Sequence, residues 1–250
     1  MSYIRQRQLF SLDDFFNEGD DNHRLLLVLN ALDDDKLIWK LEHERKGRRN
    51  SYPVRMLWQS LVAAKVYGIA ATNDLIRELK RNESLRKVVG IKHINLVPKP
   101  WHFSRLFTKL SAPENLSMIK DIFDRAVGDL KGIVPDFGES LAIDGTEVSS
   151  WCNRYAKNKS DKDAGWSVKT YRKEDGSEHK HCWYGYLVEL LVDTKYEIPL
   201  NFEVIPANMN ECPRLPILIG DTMRVHPDLD VKYVMADKGY DSKEKQLCVE

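Results

Sequence analysis

The hydrophobic period of this 250-residue chain changes once, near Gly132, and that change limits the possible fold more than any other feature. Before it, apolar residues recur at helical spacing. HRLLLVLNAL and DDDKLIWKL read as helices, and the loop HERKGRRNSY follows them. Pro53 stands where a first helical turn tolerates proline, and VRMLWQSLVAAKVYGIA continues as a helix closing near Gly68. Thr72 or Asn73 is placed to cap DLIRELKRNESLRKVV, with Leu75, Ile76 and Leu79 inward and Arg77, Lys80 and Arg81 outward. After a turn at VPKP come WHFSRLFTKL and APENLSMIKDIFDRAV, and Trp58 and Trp101 fall in core positions of these patterns. Short helices joined by tight turns suit a helix-turn-helix DNA-binding module, and equally an all-helical scaffold.

Beyond Gly132 the texture is that of strands. In SLAIDGTEVSS an apolar run from Leu141 to Ile143 is halted by Asp144-Gly145. CWYGYLVELLVD and LNFEVIPA read as an antiparallel hairpin turning at Asp193 to Tyr196. NECPRLPILIGDTMRVH is a helix with Pro213 and Pro216 in its first turn, and VKYVMAD is a further short strand. Between the first strand and the hairpin, NRYAKNKSDKDAGWSVKTYRKEDGSEHKH reads as a long polar loop, DNA-contacting or mobile, with a plain solvated insertion as the alternative. Strand, hairpin, helix and strand in that order indicate a mixed α/β domain, residues 131–250, after a helical domain, residues 1–130.

The 38 basic and 38 acidic residues cancel overall but not locally. Residues 40–110 hold 16 basic against 5 acidic side chains, residues 154–183 hold 8 against 5, and the rest of the chain is acidic. A polyanion responds to local basic surface whatever the net charge, so residues 40–110 are the expected nucleic-acid footprint. Arg45, Lys46, Arg48 and Arg49 are the first candidates for phosphate contact, followed by Arg77, Lys80 and Arg81. No apolar run approaches the length of a membrane span, and MSYIRQRQLFSLDDFF has no uninterrupted apolar core, so a cytoplasmic protein without a signal peptide is expected. Cys152, Cys182, Cys212 and Cys248 form no C-x-x-C pair and read as reduced thiols. His179, His181 and Cys182 cluster, but in an extended segment the cysteine faces away from the histidines, which disfavours zinc.

Asp144 and Asp237 share one setting: each directly follows a short apolar run, LAI or YVMA, and glycine follows soon after. An acid held at the end of a buried strand emerges at the rim of the sheet, where ligands of open α/β sheets bind. Two such strands side by side would bring two carboxylates to one hard cation, and one or two carboxylates suffice for Mg²⁺ beside substrate phosphates. The same residues also fit a plain Asp-Gly turn at Asp144 and a helix cap at Asp237.

IDGTEV, the segment YGYLVELLVDTKYEIPLNFEVIPANMNE and VMADKGYDS together resemble the DDE transposases of bacterial insertion sequences, in the branch with an Asp-x-Gly-Tyr second motif. NSYPVRMLWQSLVAAKVYGI and NDLIRELKRNESLRKVVGI resemble the helical N-terminal domain of that group. The resemblance implies a ribonuclease-H-like α/β catalytic domain behind an all-helical DNA-binding domain. It further implies that Asp144 and Asp237 are the first two catalytic acids and bind divalent metal, Mg²⁺ with Mn²⁺ as substitute. The partner would be double-stranded DNA, both element ends and target, bound by a homodimer in the bacterial nucleoid. Tyr240 and Asp241 continue the motif, with Asp241 as a helix cap. The third acid of the family is a glutamate in a Tyr, Arg, Glu, Lys pattern well downstream; Glu244 and Glu250 lie too close to Asp237, so the chain reads as truncated before it. A fragment that only binds DNA is therefore the alternative to an active transposase. Leu187 departs from the lysine common in relatives, which removes one expected DNA contact.

Overall fold

The computed structural model describes residues 20–45, 52–172, 176–209, 213–237 and 240. The chain separates into two units, Met1–Ala126 and Val127–Glu250. The first is helical: α1 (Asp21–Ala31), α2 (Asp35–His43), α3 (Val54–Val66), α4 (Thr72–Arg81), α5 (Glu83–Val88) and α6 (Pro100–Leu110), with α7 (Pro113–Lys131) next in the chain. The inward positions of the 3.6-residue pattern meet in one core, where Leu25, Ile38, Leu41, Leu79, Leu85 and Phe103 are fully buried. A polar tie crosses it: the carboxylate of Asp34, itself buried, accepts from Arg55 Nη1 at 3.1 Å and from Trp58 Nε1 at 2.7 Å.

Three local expectations change. The single helix expected from Asp74 to Val89 is two, because Asn82 is extended and its side chain accepts the Leu85 N–H at 3.0 Å, ending α4 and capping α5. Thr72 is the first residue of α4 and not its cap; Ala71 occupies the cap position and offers no side-chain acceptor. Trp101, expected in the core, lies half exposed at the start of α6 with Lys99 Nζ 4.9 Å from its ring.

Among its described residues, beyond the end of α7, the second unit has a five-stranded mixed sheet and one helix: β1 (Ser140–Ser149), β2 (Gly165–Arg172), β3 (Glu178–Asp193), β4 (Pro199–Pro206), α8 (Arg214–Val225) and β5 (Tyr233–Ala236). β3 organises the sheet, pairing antiparallel with β1, β2 and β4, while β5 pairs parallel with β1. Two corrections follow. Asp144-Gly145 is no turn: β1 runs straight through it, with Asp144 opposite Leu190 and Gly145 opposite Glu189. The long loop expected from Asn153 to His181 contains β2 and the start of β3, paired from Gly165↔Gly185 to Arg172↔Glu178. Both faces of that hairpin meet solvent, so polar residues occupy both and the period-two signal is lost.

Elsewhere the period is plain. Leu187, Glu189, Leu191 and Asp193 of β3 are buried, while the residues between them are partly exposed. α8 covers the buried face; Asn201 of β4 donates to the Leu218 carbonyl at 3.3 Å and to Thr222 Oγ1 at 3.1 Å. The Asp193 carboxylate closes the β3–β4 turn, accepting backbone N–H groups of Lys195 (2.9 Å), Tyr196 (2.8 Å) and Gly138 (2.7 Å). Gly185 is required where β1 crosses β3, since a Cβ there would stand 2.1 Å from the Val148 carbonyl oxygen and 2.8 Å from the Ser150 nitrogen. Both are backbone atoms and cannot rotate away. Gly185→Ala is therefore expected to destabilise the protein by at least about 2 kcal/mol in urea unfolding, the upper part of the range for overpacking. An unchanged midpoint would show that β1 shifts freely.

Candidate active site and nucleic-acid surface

Register creates the site. In the parallel β1–β5 pair, Leu141 faces Val234, Ala142 faces Met235 and Ile143 faces Ala236. The next residue in each case is an acid: Asp144 continues β1 and Asp237 directly follows the last residue of β5, so the two acids come after paired positions of neighbouring strands, whose spacing is about 5 Å. Leu141 and Ile143 are buried while Asp144 is exposed, so the acid lies on the face opposite α8. Asp237 is exposed too. The Asp144 carboxylate accepts its neighbour Gly145 N–H at 2.8 Å, and the Asp237 carbonyl accepts the Tyr240 N–H at 2.9 Å.

Two exposed carboxylates, one within β1 and one directly after β5, suit a hard divalent cation that completes its shell with water and phosphate oxygen. Among the described residues no group of three His, Cys, Asp or Glu side chains converges as a ready-made cage.

Behind the acids lies a pair with no counterpart in the sequence expectations. Glu189 of β3 is fully buried, and its Oε2 accepts the hydroxyl proton of Tyr240 at 2.5 Å. Gly145 makes room for this pair: a Cβ there would lie 3.3 Å from Glu189 Oε1 and 3.5 Å from Tyr240 Oη. The chain leaving Asp237 is thus tied back beneath β1. The signal was present in the sequence as an acid at a buried position of an apolar alternation, Leu187-x-Glu189-x-Leu191. Leu187 itself is buried on the α8 side.

Of the expected phosphate contacts, Lys46, Arg48 and Arg49 lie outside the described residues, as do Gly239, Asp241, Glu244 and Glu250. Arg45 is largely buried and paired with Glu42 at 2.9 Å. Arg77 and Arg81 lie on α4, about four-fifths exposed, paired within the helix with Asp74 and Glu78, each at 2.5 Å. Lys80 is exposed between them. Exposed i,i+3 pairs are worth at most about 1 kcal/mol, so they leave these cations available to a phosphate. His181, from the disfavoured zinc cluster, approaches Glu147 with Nε2 at 3.0 Å.

The segment joining β1 to β2 is fastened to the open face of the sheet by two tyrosines of β3. Tyr184 donates to the Asp161 carbonyl at 2.7 Å and Tyr186 to Asp163 Oδ1 at 3.0 Å. Burial, aided by the bond to Asp163, pushes the Tyr186 phenol from 10.0 to about 12.

Residues 11–109 match the family described as Transposase domain (DUF772), and residues 136–247 match the family described as Transposase DDE domain. No curated protein and no solved structure matches the chain significantly. A mixed sheet within a Transposase DDE domain implies a ribonuclease-H-like fold. The chain belongs to the DDE transposases of insertion elements, a family that acts on DNA with divalent metal.

Two expectations test this arrangement. Tyr240→Phe removes a hydrogen bond to a buried carboxylate and should cost about 1.5–3 kcal/mol in urea unfolding; an unaltered midpoint would show that the pair contributes nothing. A phenol whose folded value is raised stays neutral in the fold while the unfolded chain ionises, so stability is present below pH 10 and declines between pH 10 and about 12. Tyr186→Phe should make that alkaline decline shallower in thermal melts, and an identical slope would count against the Tyr186–Asp163 contact.

Proposed function

We propose that this transposase cleaves DNA at the ends of its element and joins them to target DNA, with Asp144 and Asp237 as catalytic, metal-binding residues. The observation that supports this reading is the parallel β1–β5 pairing, in which Asp144 and Asp237 directly follow the paired residues Ile143 and Ala236. Each step is in-line attack on a phosphodiester, by water in cleavage and by a DNA 3′-hydroxyl in strand transfer. Held between these carboxylates and the phosphate, Mg²⁺, or Mn²⁺ in its place, would act as a Lewis acid on the reacting oxygens.

The protein's own contribution is orientation and charge. β1 fixes Asp144 through its pairing with β3, and the Tyr240–Glu189 bond holds the chain that leaves Asp237. Two anionic side chains facing solvent repel a bare phosphate, so they select a phosphate that arrives with cations. The helical unit supplies affinity. Arg77, Lys80 and Arg81 on α4, with Arg45, Lys46, Arg48 and Arg49, would neutralise DNA phosphates, and a homodimer would hold the two ends together.

Asp144→Asn and Asp237→Asn should each reduce Mg²⁺-dependent cleavage of the DNA flanking the coding sequence by more than about a hundredfold. Loss of an outer-shell partner alone costs up to that much, and direct ligands matter more. Binding of the same DNA should persist. Cleavage surviving both substitutions would remove the assigned site, while binding without any cleavage by the parent protein would favour a DNA-binding fragment. Replacing Arg77, Lys80 and Arg81 by alanine should lower the slope of log affinity against log salt by about one for each phosphate that is no longer neutralised. An unchanged slope would place the DNA elsewhere.

A further inference from the structure

Residues 84–113, from α5 to the start of α7, hold six Lys or Arg side chains and no Asp or Glu. α6 lies within this stretch, and its two sides differ sharply. Phe103, Leu106 and Leu110 point into the core and are buried. At about 100° of rotation per residue, Trp101, Ser104, Arg105 and Thr108 form a stripe on the opposite side. All four are exposed.

Arg105 differs from the other described arginines of the helical unit. Arg24, Arg45, Arg55, Arg77, Arg81 and Arg125 each meet a carboxylate. Arg86 donates to the carbonyls of Leu79 and Lys80 at 2.9 and 2.8 Å. Among the described residues nothing accepts from the Arg105 guanidinium, so its planar fork of N–H donors is unspent. Its neighbours on the stripe are complementary to it. Ser104 and Thr108 donate their hydroxyl protons to the carbonyls of Pro100 at 3.3 Å and Ser104 at 3.1 Å, which leaves their oxygens as outward acceptors. Trp101, 49% exposed, adds apolar surface.

A donor fork, two acceptors and one apolar surface, with no acid among them, match the major groove of DNA. Guanine shows N7 and O6 acceptors there, cytosine and adenine show amino donors, and thymine shows a methyl group. The groove is about 12 Å wide and admits one helix, whereas the minor groove, about 6 Å wide, does not. A groove on a protein that takes an amphipathic helix would call for an apolar stripe instead.

α4 is less suited to base edges. Its Arg77 and Arg81 stand beside Asp74 and Glu78, and an acid pressed against the guanine acceptors is repelled by them. Phosphates at the rim of the groove are the better ligands for that helix. α6 packs on α4, and helices in contact lie about 8–10 Å apart, so one duplex turn of about 34 Å is long enough to meet both.

We propose that α6 is the base-reading helix of this protein, lying in the major groove with Arg105 bidentate on N7 and O6 of one guanine, and with Ser104, Thr108 and Trp101 against the neighbouring base pairs. This rests on the reading of the helical unit as DNA-binding and is independent of the acids Asp144 and Asp237.

The test selects bound duplexes from a pool with 20 random base pairs, without metal, using the parent protein and its variants. The parent should enrich one sequence motif containing at least one guanine. Arg105→Ala should lose the preference at one guanine, by at least about fivefold against the other bases, and keep the rest of the motif. Arg105→Lys, which keeps the charge but not the fork, should lose it too. Replacing that guanine by 7-deazaguanine should weaken binding by the parent and leave Arg105→Ala unaffected. R77A/K80A/R81A should weaken every sequence alike and leave the motif intact. Near-UV circular dichroism checks that each variant is folded, and Arg105→Lys carries the comparison if Arg105→Ala is not. An Arg105→Lys variant that selects the parent motif unchanged would overturn the proposal, as would Arg105 variants that weaken all sequences equally, the behaviour of a phosphate contact. A parent that binds duplexes with a steep salt dependence but enriches no motif would overturn it while sparing the DNA-binding reading of the unit. A parent that binds no duplex would remove both.

Discussion

Everything at the candidate active site depends on the parallel pairing of β5 with β1. Side chains alternate along a strand, so a slip of one residue would bring Ala236 level with Asp144 and turn Asp237 toward α8. A four-residue strand with exposed side chains cannot specify its register by burial alone. Ties outside the pairing hold it at both ends. Before β5, the backbone N–H groups of Lys232 and Tyr233 donate to the Glu139 carbonyl, and Lys232 Nζ lies 2.7 Å from the Glu139 carboxylate. After it, Tyr240 is anchored to Glu189 beneath β1.

Among the described residues of the second unit, α8 covers one face of the sheet, and the two faces differ accordingly. On the α8 side, polar groups are tolerated where each has a partner: Glu189 with Tyr240, Asn201 with Thr222, and Glu203 with Arg214 at 3.0 Å. Such bonds matter more for what their loss would cost than for their net gain. The opposite face carries the acids and the tyrosines that fasten the β1–β2 segment. A solvent-facing antiparallel surface of this kind is available to a long polyanion in a way that a helix-covered face is not.

The charges obey a similar division. On α4 each exposed arginine has an acid one turn before it, which lowers the local potential in the absence of DNA without locking the side chain. Around the cavity lined by Trp166, Lys157, Lys159 and Lys162, the acids Asp161 and Asp163 are drawn onto hydroxyls, so positive potential is concentrated beside aromatic surface.

Residues close in sequence determined much of this protein. Helical spacing identified the inward residues Leu75, Ile76 and Leu79 of α4, and strand alternation identified the hairpin of β3 and β4, because each pattern reports burial on one face. The motifs around Asp144 and Asp237 pointed to the family. What the sequence misjudged has one physical cause. Asp144-Gly145 reads as a turn locally, yet β3 supplies its pairing partners from more than forty residues away. β2 has no covered face and therefore no legible period. The Glu189–Tyr240 bond joins residues 51 apart in sequence, and the cavity joins Lys157 to Asn208. Only the tertiary structure could bring these groups together, since register and pairing depend on the whole sheet and not on any segment of it.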